Sequence, residues 1–218
     1  MKLSEVPEYH EYMFCRIKKK YTEAEQALNH CIDLARKDND RNKINYLTQK
    51  MGDIFFLKGE RDKAIECYRE SVKNGDCLLF EYFFAVFLAD SLHEYKDAIS
   101  KCQKIIDLVS ADDWVKSDDD MDAKHYLAMC YDLLGYLYAF MEDFQNALLF
   151  LGKLSTIETS YTLNYDLKLC EILKVNGYYS KVRPYLQKLL EKVKSSFDHK
   201  ELAGYIGEIE QLLIPPHD

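Results

Sequence analysis

Small and apolar residues recur along this chain in blocks with a period of about 34 residues. Ala64 sits in the stretch Lys58-Gly59-Glu60-Arg61-Asp62-Lys63-Ala64-Ile65, and one period on Ala98 sits in Glu94-Tyr95-Lys96-Asp97-Ala98-Ile99. Gly52 precedes Ala64 by twelve residues, and Gly135 precedes Ala147 by the same twelve. Large residues surround the small ones, Met51, Phe55 and Tyr68 in the first block. The pattern predicts pairs of helices joined by short turns. A small residue on each helix lets two backbones approach closely, and large side chains fill the space beside the crossing. Nothing reads as a strand.

Stepping by this period places helix pairs at about 5–38, 45–78, 79–112, 128–161 and 163–196, with a closing helix near 198–213. The end copies, around Lys20-Tyr21-Thr22-Glu23-Ala24 and Asn176-Gly177-Tyr178-Tyr179-Ser180-Lys181-Val182, match less well, as expected for units with a neighbour on one side only. Leu202, Ile206, Ile209 and Leu213 form one stripe on the closing helix, and Pro215-Pro216 prevents its continuation. Thr22 with Glu25 reads as a capping box, with Asp62 and Ser180 in the equivalent N-cap slot. Gly59 and Gly177 fall in inter-helix turns that need a left-handed residue, and Pro184 falls in the first turn of its helix. Insertions at 39–44 and 113–127 break the period; Asp112, Asp113, Trp114, Asp118, Asp119, Asp120 and Asp122 lie in the second or directly before it.

These residues resemble the tetratricopeptide repeat, whose helix–turn–helix unit has small residues at its eighth and twentieth positions. The resemblance covers nearly the whole chain and implies an all-α, right-handed α-solenoid of about five repeats plus a capping helix, a single array over 1–218. It further implies that the first helix of each repeat lines a concave groove. Carried onto this sequence, the groove positions are Tyr46, Gln49, Asp53, Phe56 and Leu57, then Phe80, Phe83, Phe87, Asp90 and Ser91. Met129, Asp132, Tyr136, Ala139 and Phe140 follow, and the last set is Asn164, Leu167, Glu171, Lys174 and Val175. Some family members clamp a C-terminal carboxylate with Lys, Asn and Arg. The matching positions here hold Gln49, Asp53, Phe80 and Phe83, so that clamp is absent. An aromatic groove with Asp53, Asp90 and Asp132 suits a ligand with basic as well as apolar side chains.

Composition narrows the function classes. A chain of 218 residues with 48% hydrophobic content and a net charge of −8 is neither disordered nor suited to duplex nucleic acid, which demands a basic surface. Residues 163–200 are the exception, with eight Lys+Arg against four Asp+Glu, and read as a solvated face. The longest apolar run, Cys77 to Asp90, is broken by Glu81 and too short for a bilayer. Residues 1–8 show no apolar leader, so the expected location is cytoplasmic. Seven scattered cysteines without CxxC spacing read as reduced core thiols. The six histidines never occur as HxxxH or HExxH, no phosphate-binding glycine loop is present, and the acidic insertion lacks the Gly and terminal Glu of a calcium loop. Neither a metal nor a cofactor is expected, and no catalytic constellation is visible.

The expectation is therefore a non-enzymatic module that binds a peptide or helix of a protein partner in its groove, with Phe83 and Phe87 the first pair to test. An alternative is an inhibitor of the bacterial antitoxin or immunity type, whose acidic surface near Trp114 occludes a basic enzyme. A second alternative is a sensor of a signalling peptide. Seventeen tyrosines also suit self-association through half-wet contacts.

Overall fold

The computed structural model describes residues 3–73, 77–111, 114, 116, 121–157, 165–195 and 202–216. Among these, the regular structure is helical throughout: α1 (Pro7–Ile17), α2 (Tyr21–Lys37), α3 (Arg41–Leu57), α4 (Arg61–Val72), α5 (Leu78–Asp90) and α6 (Tyr95–Val109). There follow α7 (Ala123–Phe140), α8 (Phe144–Thr156), α9 (Asp166–Leu173), α10 (Tyr179–Ser195) and α11 (Ala203–Leu212). A 3₁₀ turn at Leu3–Glu5 precedes α1, and a kink at Lys174–Tyr178, where Asn176 and Gly177 leave helical geometry, joins α9 to α10. The fold is all-α, with helices packed on their sequence neighbours. No helix among the described residues is long and apolar enough to cross a membrane.

The chain divides into two compact units, residues 1–84 and 85–218, with the division inside α5. In the first unit α1 packs on α2, α2 on α3 and α3 on α4. Its core gathers Tyr12, Leu28, Cys31, Leu47, Met51 and Ile54. In the second unit α6 packs on α7, α7 on α8 and α9, and α10 on α11, around Leu151, Leu169, Leu173, Val182 and Leu186. α5 is apolar on nearly every side, as a helix enclosed by neighbours must be.

The small positions do what their spacing predicts. Ala24, Ala64, Ala98 and Ala147 are completely buried, and Val182 occupies the corresponding place in α10. A Cβ on Gly52 would lie 2.9 Å from the Tyr68 ring and 3.2 Å from the Ala64 carbonyl oxygen, so here the absence of a side chain sets the distance between α3 and α4. A Cβ on Gly135 would lie 2.7 Å from Leu169 Cδ2, placing α9 directly over α7.

The turns share one chemistry. Lys19, Asn39, Gly59 and Glu142 follow α1, α2, α3 and α7 with φ between 53° and 81°. The next amide in each turn bonds back five residues: Lys20 to Cys15, Asp40 to Ala35, Glu60 to Phe55 and Asp143 to Tyr138, at 2.8 to 3.0 Å. This is the Schellman motif, and the residue donating that bond is also the N-cap of the next helix. His93 and Gly177 supply the left-handed residue after α5 and at the α9–α10 junction.

Three local expectations are corrected. Thr22 is not an N-cap, because α2 starts at Tyr21, and Glu25 instead receives Lys58 at 2.6 Å. Asp62 and Ser180 likewise lie inside the first turns of α4 and α10; the side-chain caps are Asp40 on α3 and Asp143 on α8. Pro184 is the sixth residue of α10, beyond the first turn, because that helix begins at Tyr179, directly after the kink. Residues 41–44 of the first insertion are helical, added as an extra turn to the start of α3.

Candidate functional site

The predicted groove positions separate into interior and surface sets. Phe80, Phe87, Asp132, Gln49, Ala139 and Leu167 are buried, so the register that placed them on an open face is corrected for these residues. Phe83, Leu57, Asp90, Phe140 and Val175 are exposed, and Tyr46, Asp53, Phe56 and Tyr136 are half-buried. Asn164, Asp112, Asp113 and Asp118 to Asp120 lie outside the described residues. Trp114 is half-buried, and Asp122 is paired with Lys116 at 2.9 Å, which holds its carboxyl below the usual carboxylate range.

In the first unit the predicted polar residues hold the fold together. Tyr68 donates to Asp53 at 2.6 Å, and Lys50 reaches the other oxygen of the same carboxylate at 3.2 Å. Burial first, and the Asp53 charge second, raise the Tyr68 hydroxyl far above its ordinary range. Tyr46 shares a 3.0 Å hydrogen bond with Tyr9 and lies under the Lys50 ammonium, 5.3 Å from the ring centre. Phe80 is covered, and its carbonyl accepts from the buried Gln49 amide at 3.0 Å.

The second unit brings four predicted residues into one cluster. Tyr165, at the N-cap of α9, donates its hydroxyl to Asp90 at 2.8 Å, while its backbone N–H donates to Asp132 at 3.0 Å. Tyr136 stacks on Tyr165 with centroids 5.1 Å apart. One turn on, Phe140 lies 6.1 Å from Tyr136 and meets Tyr95 edge-on at 5.3 Å, and Tyr95 in turn touches His93. The Lys168 ammonium lies 5.7 Å from the Tyr136 centroid and 5.3 Å from that of Tyr165. The result is a continuous run of rings from α9 across α7 to the start of α6, with a cation beside one end.

Its electrostatics follow from partial burial beside a carboxylate. Burial, with Asp90 as hydrogen-bond acceptor and neighbouring charge, keeps the Tyr165 hydroxyl protonated far above its ordinary range, and Tyr136 is shifted the same way. Asp90 is exposed, and among the described residues its carboxylate holds a tyrosine hydroxyl rather than a cation. Phe140 shows 52% of its surface to solvent.

Sequence reasoning missed Tyr95, Tyr165 and Lys168. Tyr165 follows Asn164 directly, one place from the register position, and Tyr95 opens a second helix, which the groove template does not consider. A surface groove of about 470 Å³ between α8 and α10, lined by Leu148, Leu149, Gly152, Lys181, Pro184 and Tyr185, contains none of the predicted residues. Among the described residues, no three His, Cys, Asp or Glu side chains converge on a metal-sized space.

Comparison with known proteins agrees with the architecture. Residues 49–74 match the family model of the tetratricopeptide repeat, a span that takes in the second half of α3, its turn and α4. No curated protein is matched by the sequence. A tetratricopeptide repeat points to protein–protein interaction.

Proposed function

We propose that this protein is a non-enzymatic interaction module whose second unit binds an extended or helical segment of a partner protein along the face built from Asp90, Tyr95, Tyr136 and Phe140. The observation that carries the proposal is the ring run itself. An exposed Phe140 is backed by Tyr95 and Tyr136, and Tyr136 rests on a Tyr165 anchored through both hydroxyl and amide. Aromatic anchors on a rigid support contribute most of the affinity at protein interfaces, because little side-chain freedom is lost when they are covered. Asp90 beside them favours a ligand with a basic side chain next to an apolar one.

The reading is tested by selecting binding peptides from a random library and mapping the best of them by NMR on the labelled protein. Shifts concentrated at Tyr95, Tyr136, Phe140 and Asp90 support it. Shifts concentrated in the α8–α10 groove contradict it.

A further inference from the structure

Apart from His10, the outward face of α1 is apolar, where an exposed helix face is expected to be polar. At about 100° per residue, Tyr12 and Cys15 turn toward α2 and are buried, while Met13, Phe14 and Ile17 turn the other way. Phe14 and Ile17 are 57% and 71% exposed. Glu11 and Lys18, seven residues apart, lie together on one flank of this stripe. Lys18 extends over the Phe14 ring at 5.9 Å. Their neighbours are engaged within the chain, Glu8 with His30 at 3.7 Å and Lys20 with Glu23 at 4.0 Å, whereas Glu11 and Lys18 form no ion pair among the described residues.

We propose that this face pairs with the same face of a second copy, the two α1 helices running antiparallel about a two-fold axis close to Phe14. Glu11 lies three residues before Phe14 and Lys18 four after it, so an antiparallel dyad sets Glu11 opposite Lys18 of the second copy, twice over. The same operation brings Phe14 beside Phe14 and Ile17 beside Met13 of the second copy. A parallel two-fold would instead turn the two flanks to opposite sides of the contact, so that Glu11 and Lys18 do not meet. The charge pattern is thus self-complementary in the antiparallel orientation, and this selects a second copy as the occupant over an unrelated acidic or basic partner. The face of one eleven-residue helix is below the area of a standard interface. The pairing is therefore weak and reversible, seen at micromolar to sub-millimolar concentration.

Sedimentation equilibrium across that range tests the proposal, using the full chain, Glu11→Lys, Lys18→Glu and their equimolar mixture, with helicity checked by circular dichroism. The wild type is expected to dimerise. In Glu11→Lys both flanking contacts become cation on cation, and in Lys18→Glu both become anion on anion, so each alone associates about tenfold more weakly or worse. Mixing the two restores opposite charges at both contacts and recovers a heterodimer. A wild type that stays monomeric throughout overturns the proposal. So does a dimer that neither reversal weakens, or one that mixing fails to restore, since the contact then lies elsewhere or has another symmetry.

Discussion

The Asp132 carboxylate accepts the backbone N–H of Tyr165 at 3.0 Å, joining the middle of α7 to the start of α9 across 33 residues of sequence. Gln49 occupies the corresponding place in α3, and its amide donates to the carbonyl of Phe80, at the start of α5, across 31 residues. In both cases a buried polar side chain on one first helix fastens the beginning of the next. The acid is therefore better read as a staple between helix pairs than as a ligand contact, and the accessible charge at the site is Asp90.

Removing the staple leaves a buried amide without its acceptor, which costs about 1–3 kcal/mol. Asp132→Ala is expected to lower stability by that amount in urea denaturation, and Asp132→Asn, which keeps a carbonyl oxygen, by less. Equal losses in the two variants would show that the carboxylate charge matters beyond the hydrogen bond.

Gly52 and Gly135 both mark helix crossings, but their neighbours differ in freedom to move. The Tyr68 ring beside Gly52 is pinned by its bond to Asp53 and by stacking on Phe84 at 5.6 Å, whereas Leu169 meets Gly135 with the far end of its side chain, which can shift by a change of χ2. Gly52→Ala is expected to cost about 1–3 kcal/mol through overpacking. Gly135→Ala should cost less, with the better helix propensity of alanine offsetting part of the clash. Thermal melts of the two variants decide the order.

Glu142 holds φ 62° at the end of α7 and Gly59 holds φ 81° at the end of α3. The left-handed region costs a side-chain-bearing residue about 1 kcal/mol. Glu142→Gly is accordingly expected to stabilise by about 0.5–1 kcal/mol, and Gly59→Ala to destabilise by a similar amount. Chemical denaturation at neutral pH measures both signs.

Several tyrosines are held protonated beyond their ordinary range. Burial pushes Tyr12 up to about 12, and burial with a carboxylate acceptor raises Tyr68, Tyr165 and Tyr205 further. A folded-state pKa above the unfolded value contributes stability that is complete below the unfolded value of 10.0 and lost as pH rises above it. The melting temperature is therefore expected to fall steeply only above about pH 10. Difference absorbance at alkaline pH should show one set of tyrosines titrating normally and another ionising together with unfolding. Smooth titration of all of them before unfolding would contradict this.

The repeat was legible because it rests on backbone proximity, which only small residues permit: Gly52 with Ala64 and Gly135 with Ala147 mark crossings that the structure contains. Turn positions were legible at Gly59 and Gly177, but not at Lys19, His93 or Glu142, where hydrogen bonding imposes the same left-handed geometry on residues with no such preference. The site was half legible. A positional template finds which side chains leave the first helices, but not how deeply the neighbours cover them. Phe87 and Asp132 are enclosed, while Phe140, near the end of α7, stays open. Tyr95 joins the site from a second helix, a contribution that no periodicity along first helices can reveal.

Phe140 and Leu149 are equally exposed, at 52% each, the first in the ring run and the second in the α8–α10 groove. Isothermal titration of a library-selected peptide with the wild type, Phe140→Asp and Leu149→Asp therefore compares two sites at matched exposure. Loss of an anchor ring typically costs at least 2 kcal/mol, so Phe140→Asp should weaken binding by about thirtyfold or more, with Leu149→Asp unchanged. Loss of binding in Leu149→Asp with Phe140→Asp intact would contradict the account and move the binding surface to the second helices.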